Sequence, residues 1–155
     1  MKDRYILDYT RPVVEVLEAS ENIIILKING SPVPWKAPRV CRFGTYAPHG
    51  EIKKYLRRKI GILYNKSLLK EAVTCDLKFY LPVPKTSERM FKKARDAGRE
   101  IYHTKKPDRI NLGKFAEDIL EGSILKNDSQ IIGGNVHKEY STGKPYTTIA
   151  LTIHH

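Results

Sequence analysis

Between Lys105 and Gln130 the chain reads KKPDRINLGKFAEDILEGSILKNDSQ, which sets Asp108, Asn111, Lys114, Asp118 and Asp128 around one short predicted helix. Carboxylates repel one another unless a cation sits between them, and oxygen donors of this kind suit a hard divalent ion such as Mg2+. Asp108 precedes the helix and Asp128 follows it, so a reversal at Gly122 would bring both acids to one end of a sheet. Magnesium needs only one or two protein carboxylates, because water and substrate phosphate fill its other positions. An ion held there polarises a scissile phosphate and activates a water. Lys114, from the same helix, would neutralise charge that builds on the phosphate in the transition state. Each residue also has a plainer reading: Asp108 as a helix N-cap, Asp128 beside Ser129 as a turn residue, and Lys114 with Asp118 as an i,i+4 pair of little weight.

The acids stand out because the chain around them is basic. Lys and Arg number 28 against 17 Asp and Glu, giving a net charge of +11 and a pI near 9.6. A polyanion is the expected partner, nucleic acid first, since closely spaced phosphates reward such a charge by counterion release. The stretch from Pro82 to Pro107 carries about half of the net charge. Its Lys85, Arg89, Lys92, Lys93 and Arg95, followed by Lys105 and Lys106, are candidate DNA contacts, although a solvated helix face is the default for such a run. Lys36 and Arg39 are candidates in a proline-rich segment, where Trp35 reads first as a packing residue. No apolar run has the length to cross a bilayer, and MKDRYILDYT lacks a secretory apolar core, so a cytoplasmic protein is expected. Cys41 and Cys75 are too few for a disulfide framework and read as small buried hydrophobes. His49, His103 and His137 have no metal-ligand spacing and read as surface or loop residues. No phosphate-cradling glycine loop is present, so no nucleotide cofactor is expected.

The elements that must position these side chains follow from periodicity. Residues 1–20 form an arm without a clear class, because Val13, Val14, Val16 and Leu17 suit strand or helix. Asn22 to Ile28 reads as a strand closing on Asn29-Gly30-Ser31. Pro32, Pro34, Pro38 and Pro48 make the next stretch an ordered, irregular loop. Apolar residues recur at helical spacing from Glu51 to Leu69, with basic residues between them. Val73 to Leu81 alternates strictly, as a half-buried strand does. A short helix is expected from Ser87 to Gly98, and a second clear one from Asn111 to Glu121, with Gly122 as its C-terminal cap. On that helix Asn111, Lys114 and Asp118 are expected to project together. Gln130 to Tyr140 and Tyr146 to Ile153 read as two strands of a hairpin. The expected architecture is α/β in the α+β sense, a single domain with a mixed sheet of about four strands and helices packed on it.

Several motifs together carry a resemblance. Pro107-Asp108, Asn111-Leu112, Lys114, Asp118, Leu120 and Gly122, then Asp128-Ser129-Gln130-Ile131, resemble the RusA family of Holliday-junction resolvases. The likeness extends through IIILKINGSPVPWKAPRV, GTYAP, FYLPVPK and VHKEYS, so a RusA-like endonuclease domain is expected over residues 21–153. The resemblance implies a homodimeric, Mg2+-dependent endonuclease, with Mn2+ able to substitute, that makes paired symmetric cuts in four-way DNA junctions and comes from a prokaryote or phage. Two symmetry-related incisions suit an isologous dimer. It implies catalytic roles for Asp108, Asp128 and Lys114 and metal ligation by Asp108 and Asp128, with Asp118 the nearest spare third carboxylate. The chain departs from the family at Ile110 and Asn127, where acids are expected, and an isoleucine cannot ligate a cation. The rival expectation is a junction-binding protein with weakened or lost catalysis. A basic RNA-binding protein ranks last, for want of an evident aromatic stacking platform on a strand.

Overall fold

Why the chain folds as it does is clearest at its most buried strand. In the computed structural model, which describes residues 11–155, Val73, Cys75, Leu77, Phe79 and Leu81 alternate into the core along β5 (Ala72–Leu81). The same period of two directs Ile24, Leu26 and Ile28 inward from β2 (Ile23–Asn29) and Ile149, Leu151 and Ile153 from β8 (Tyr146–His154). Against this face pack α1 (Gly50–Tyr64), through Leu56, Ile60 and Tyr64, and α3 (Arg109–Leu120), through Leu112, Phe115, Ala116, Ile119 and Leu120. The other face of the sheet is polar and partly exposed, and there Tyr80 stacks on Tyr146 at 4.2 Å with the Lys27 ammonium 4.7 Å from the Tyr146 ring. This is a mixed α+β domain with the helices of its core on one face of the sheet.

The sheet has six strands where about four were expected. One addition is β1 (Val14–Ala19), which lies in the arm left unassigned from the sequence and pairs antiparallel with β2 at the sheet edge, with a bulge between Val16 and Glu18. Residues 1–10, the remainder of that arm, lie outside the described residues. The other addition comes from a break in the stretch from Gln130 to Tyr140, which forms β6 (Ile131–Gly133) and β7 (Val136–Tyr140). Gly134 causes the break: its φ is +135°, and a Cβ there would collide with the Cys75 backbone. The expected hairpin between the last two strands is not formed. Strands β6 and β7 both run parallel to β5, and β8 lies antiparallel on the other side of β5, giving the order β1-β2-β8-β5 with β6 and β7 beside β5.

Three further expectations change. The helix expected to reach Leu69 stops at Tyr64, because Asn65 adopts the left-handed conformation and its N–H closes on the Gly61 carbonyl at 3.0 Å. Inside the proline-rich loop a two-residue turn, Arg42-Phe43, joins β3 (Arg39–Cys41) to β4 (Gly44–Tyr46), so Cys41 is exposed while Cys75 is buried. The helix α2 (Glu88–Asp96) is anchored by Phe91, whose ring meets Tyr140 edge-on at 4.6 Å. Tyr140 also packs on His103, which lies in the loop between α2 and α3, one of the two positions expected, but is buried there.

Candidate active site

Helix α3 sorts its residues by angle. At 3.6 residues per turn, Ile110, Gly113 and Glu117 share the face opposite the core stripe. That face and Val136 of β7 wall a cleft, with Arg109 and Lys114 completing this end of it. The cleft continues past Glu117 and Val136 to Asp128, Ser129 and the Ile131–Gly134 segment, over Cys75. Glu117 belongs to both parts. Helix α3 and strand β7 lie close at Gly113, where a Cβ would sit in ordinary van der Waals contact, 3.5 Å from a Val136 methyl.

The segment entering α3 is fastened to β7. The Lys138 ammonium donates to the carbonyls of Lys105 and Pro107 at 2.7 and 2.8 Å, and the Arg109 guanidinium donates to the Val136 carbonyl at 3.4 Å. Asp108 stands at the N-cap position with extended backbone, but its side chain makes no capping hydrogen bond. Its carboxylate is exposed and outside the cap, and Asp108 lines neither part of the cleft, whose wall begins at the next residue, Arg109.

Asp128 begins a short 3-10 turn, Asp128–Gln130, that is tightly held. The Asn127 side-chain oxygen accepts from the Ser129 N–H at 2.9 Å, and the Gln130 side-chain oxygen accepts from the Asn127 N–H at 2.7 Å. The Gln130 amide then donates to the carbonyls of Leu69 and Glu71 at 2.9 and 2.8 Å. Asn127, at a position where the resemblance expects an acid, therefore serves as the cap that presents Asp128 to the cleft.

The carboxylate beside Asp128 is Glu117, which the sequence reading passed over. Glu117 is half-buried, and burial first, then the charges of Asp128 and Asp118, push its carboxyl above the usual range. Its spacing offered a signal: it lies seven residues after Ile110 and three after Lys114, on one helical face. Burial, together with the charges of Glu117 and Asp76, pushes the Cys75 thiol up to about 12, so Cys75 is an inert floor to the cleft.

Lys114 and Asp118 do not project together as the spacing predicted. Lys114 places its ammonium 3.5 Å from the centre of the Trp35 ring, a cation–π contact at the cleft rim. The Trp35 N–H donates to the Asn111 carbonyl at 2.8 Å, so the proline-rich loop packs on α3, the packing role expected of this residue. Asp118 turns to α1, where its carboxylate pairs with the Lys53 ammonium at 2.9 Å and its carbonyl accepts from Arg57 at 2.6 Å. Ile110 is 75% exposed on the cleft face. Of the basic set, Lys85, Arg89, Lys92, Lys93 and Arg95 are exposed on or just before α2, Lys105 and Lys106 are exposed just ahead of Asp108, and Lys36 and Arg39 are exposed in the proline-rich segment.

Among the described residues no three His, Cys, Asp or Glu side chains gather as a ready-made cation site. Two adjoining carboxylates, one half-buried and disfavoured as an anion, nevertheless fit a divalent ion, which takes few protein oxygens and relieves their repulsion. No helix among the described residues is long and apolar enough to cross a membrane.

Comparison with known proteins agrees with this architecture. The family model described as endodeoxyribonuclease RusA matches residues 29–152. The uncharacterized protein YqaN of Bacillus subtilis (strain 168) is 31% identical over 121 residues, which cover 74% of this chain and 85% of that relative. The family match runs from the last residue of β2 into β8 and takes in the cleft with Asp128 and Glu117, and the chain belongs to the RusA endodeoxyribonuclease family.

Proposed function

We propose that this protein is a divalent-metal-dependent endonuclease that, as a homodimer, makes paired symmetric cuts in four-way DNA junctions during recombination and repair. The observation that carries the reading is the cleft that sets Asp128 beside Glu117 and runs along α3 to Lys114. Asp128 and Glu117, with Asp108 at the head of the helix, would hold Mg2+ or Mn2+. When bound, the ion supplies polarisation of the scissile phosphate and activation of the attacking water.

The protein's own groups do the rest. Lys114, steadied by the Trp35 ring, meets negative charge developing on the phosphate oxygens. The Lys53–Asp118 pair locks α1 against α3 and so fixes the rotation of the helix that carries Glu117 and Lys114. Lys105, Lys106, Lys36, Arg39 and the cations of α2 hold the phosphates of the junction arms. A labelled synthetic four-way junction incubated with the protein and Mg2+ or Mn2+ should be nicked in pairs.

A second reading, junction binding with weakened or lost catalysis, is favoured by Ile110 exposed on the cleft and Asn127 spent as a cap. It predicts a mobility shift without incision. Ile110→Asp should then raise both Mg2+ affinity and incision, with the melting temperature changed by less than about 2 °C because the side chain is exposed. A variant as inactive as the wild type would place the defect elsewhere.

A further inference from the structure

The ribbon β3–β4 is the least explained part of the molecule. Every residue of both strands is exposed, and they pair only with each other, as a two-stranded sheet of their own. Such a ribbon gains little from its own packing, yet it displays Val40 at 85%, Phe43 at 93% and Tyr46 at 50% exposure. Exposed apolar residues gathered on one projection mark an interaction surface.

Its charge identifies the kind of partner. No acidic residue occurs between Glu21 and Glu51, while Lys36, Arg39 and Arg42 lie on or beside the ribbon. A second copy of the ribbon would meet like charge, and an anionic partner meets the opposite sign. At the tip, the Arg42 guanidinium lies 6.0 Å from the centre of the Phe43 ring, so a cation and an aromatic face are presented together. The ribbon is also rooted at the candidate active site, through Trp35 under Lys114 and its N–H on Asn111. Phe43 is the eighth residue after Trp35, which keeps the tip within about 26 Å of that anchor.

We propose that the β3–β4 ribbon is a wedge for the branch point of DNA, in which Phe43 stacks on a base at the crossover while Arg39 and Arg42 hold the flanking phosphates. The proposal rests on the endonuclease reading above and adds the device by which a branch is told from a duplex. In continuous duplex both faces of each base pair are covered. At a crossover a base can lose one stacking neighbour, and an aromatic side chain replaces it at lower cost.

The test uses a four-way junction carrying 2-aminopurine at the crossover and a linear duplex of the same length, in EDTA so that no cutting occurs. Wild type should lower the fluorescence of the partly unstacked 2-aminopurine on binding the junction, because an aromatic ring stacks on it, and should bind the junction in preference to the duplex. Phe43→Ala should lose the fluorescence decrease and about tenfold of the junction preference, and Phe43→Trp should keep both. A Phe43→Ala protein with the fluorescence and preference of the wild type would overturn the wedge. So would a dimeric wild type and a monomeric Phe43→Ala protein with unchanged preference, which would make the ribbon a subunit contact. If wild type binds no junction at all, the endonuclease reading itself has failed, an outcome separate from wild type binding junctions with or without Phe43.

Discussion

Glu117 shows how a single side chain takes its role from its neighbours. Its carboxyl is raised in the folded protein, first by burial and then by Asp128 and Asp118, so the folded state holds its proton to higher pH than the unfolded chain does. Stability of the metal-free protein therefore declines as pH rises from the ordinary carboxylate range through the raised value. Glu117→Gln should melt higher than wild type at about pH 8 and converge with it below about pH 4; melting curves that coincide at both would contradict the assignment. Motif spacing singles out Asp108 and Asp128 in the sequence, and the structure puts Asp128 in the cleft lining and Asp108 at the head of α3, outside that lining. Glu117 was not legible there, because nothing local distinguishes a cleft carboxylate from a solvated one. Its partner is Asp128, eleven residues away across a reversal of the chain. Asp118 misled for the same reason: the helical spacing placed it near Lys114, while Lys53, on another helix, decides where it points.

Elements position the acids through a few backbone constraints, and Gly134 is the sharpest. Its positive φ and the Cys75 backbone beside it let the chain leave β6 and re-enter as β7 along the same neighbour. Asp76 supports the crossing by accepting from the backbone and side-chain amides of Asn135 at 2.9 and 3.2 Å. Gly134→Ala should destabilise by about 2 kcal/mol or more, a fall of roughly 4–8 °C in melting temperature. A fall below about 1 °C would mean that the junction of β6 and β7 relaxes freely. The alternation of β5 and the apolar stripe of α3 could be read directly, since burial on one face writes a period into the sequence. The order of the strands could not. Gly133-Gly134 announces a break, but that both pieces pair in parallel with β5, leaving β8 on its other side, is a long-range property. The edge strand β1 was hidden because its side chains are only half-buried and its pattern is weak.

At the scale of the molecule, a net charge of +11 makes DNA affinity depend on salt. The exposed cations of α2 stand on a helix held by Phe91 and Tyr140, apart from the acids of the cleft. Replacing Arg89 and Lys92 together by Ala should reduce the slope of log affinity against log salt by about 2, nearly independently of DNA sequence. An unchanged slope would remove α2 from the binding surface. The central claim is that the cleft joining Asp128, Glu117 and Lys114 cuts branched DNA. Its most direct test is a time course of wild type and Asp128→Asn on an end-labelled four-way junction with Mg2+ or Mn2+. The account predicts paired, symmetry-related incisions by wild type, and junction binding without incision by the variant. Absence of incision by wild type over a range of metal and salt, with the junction bound, would contradict it.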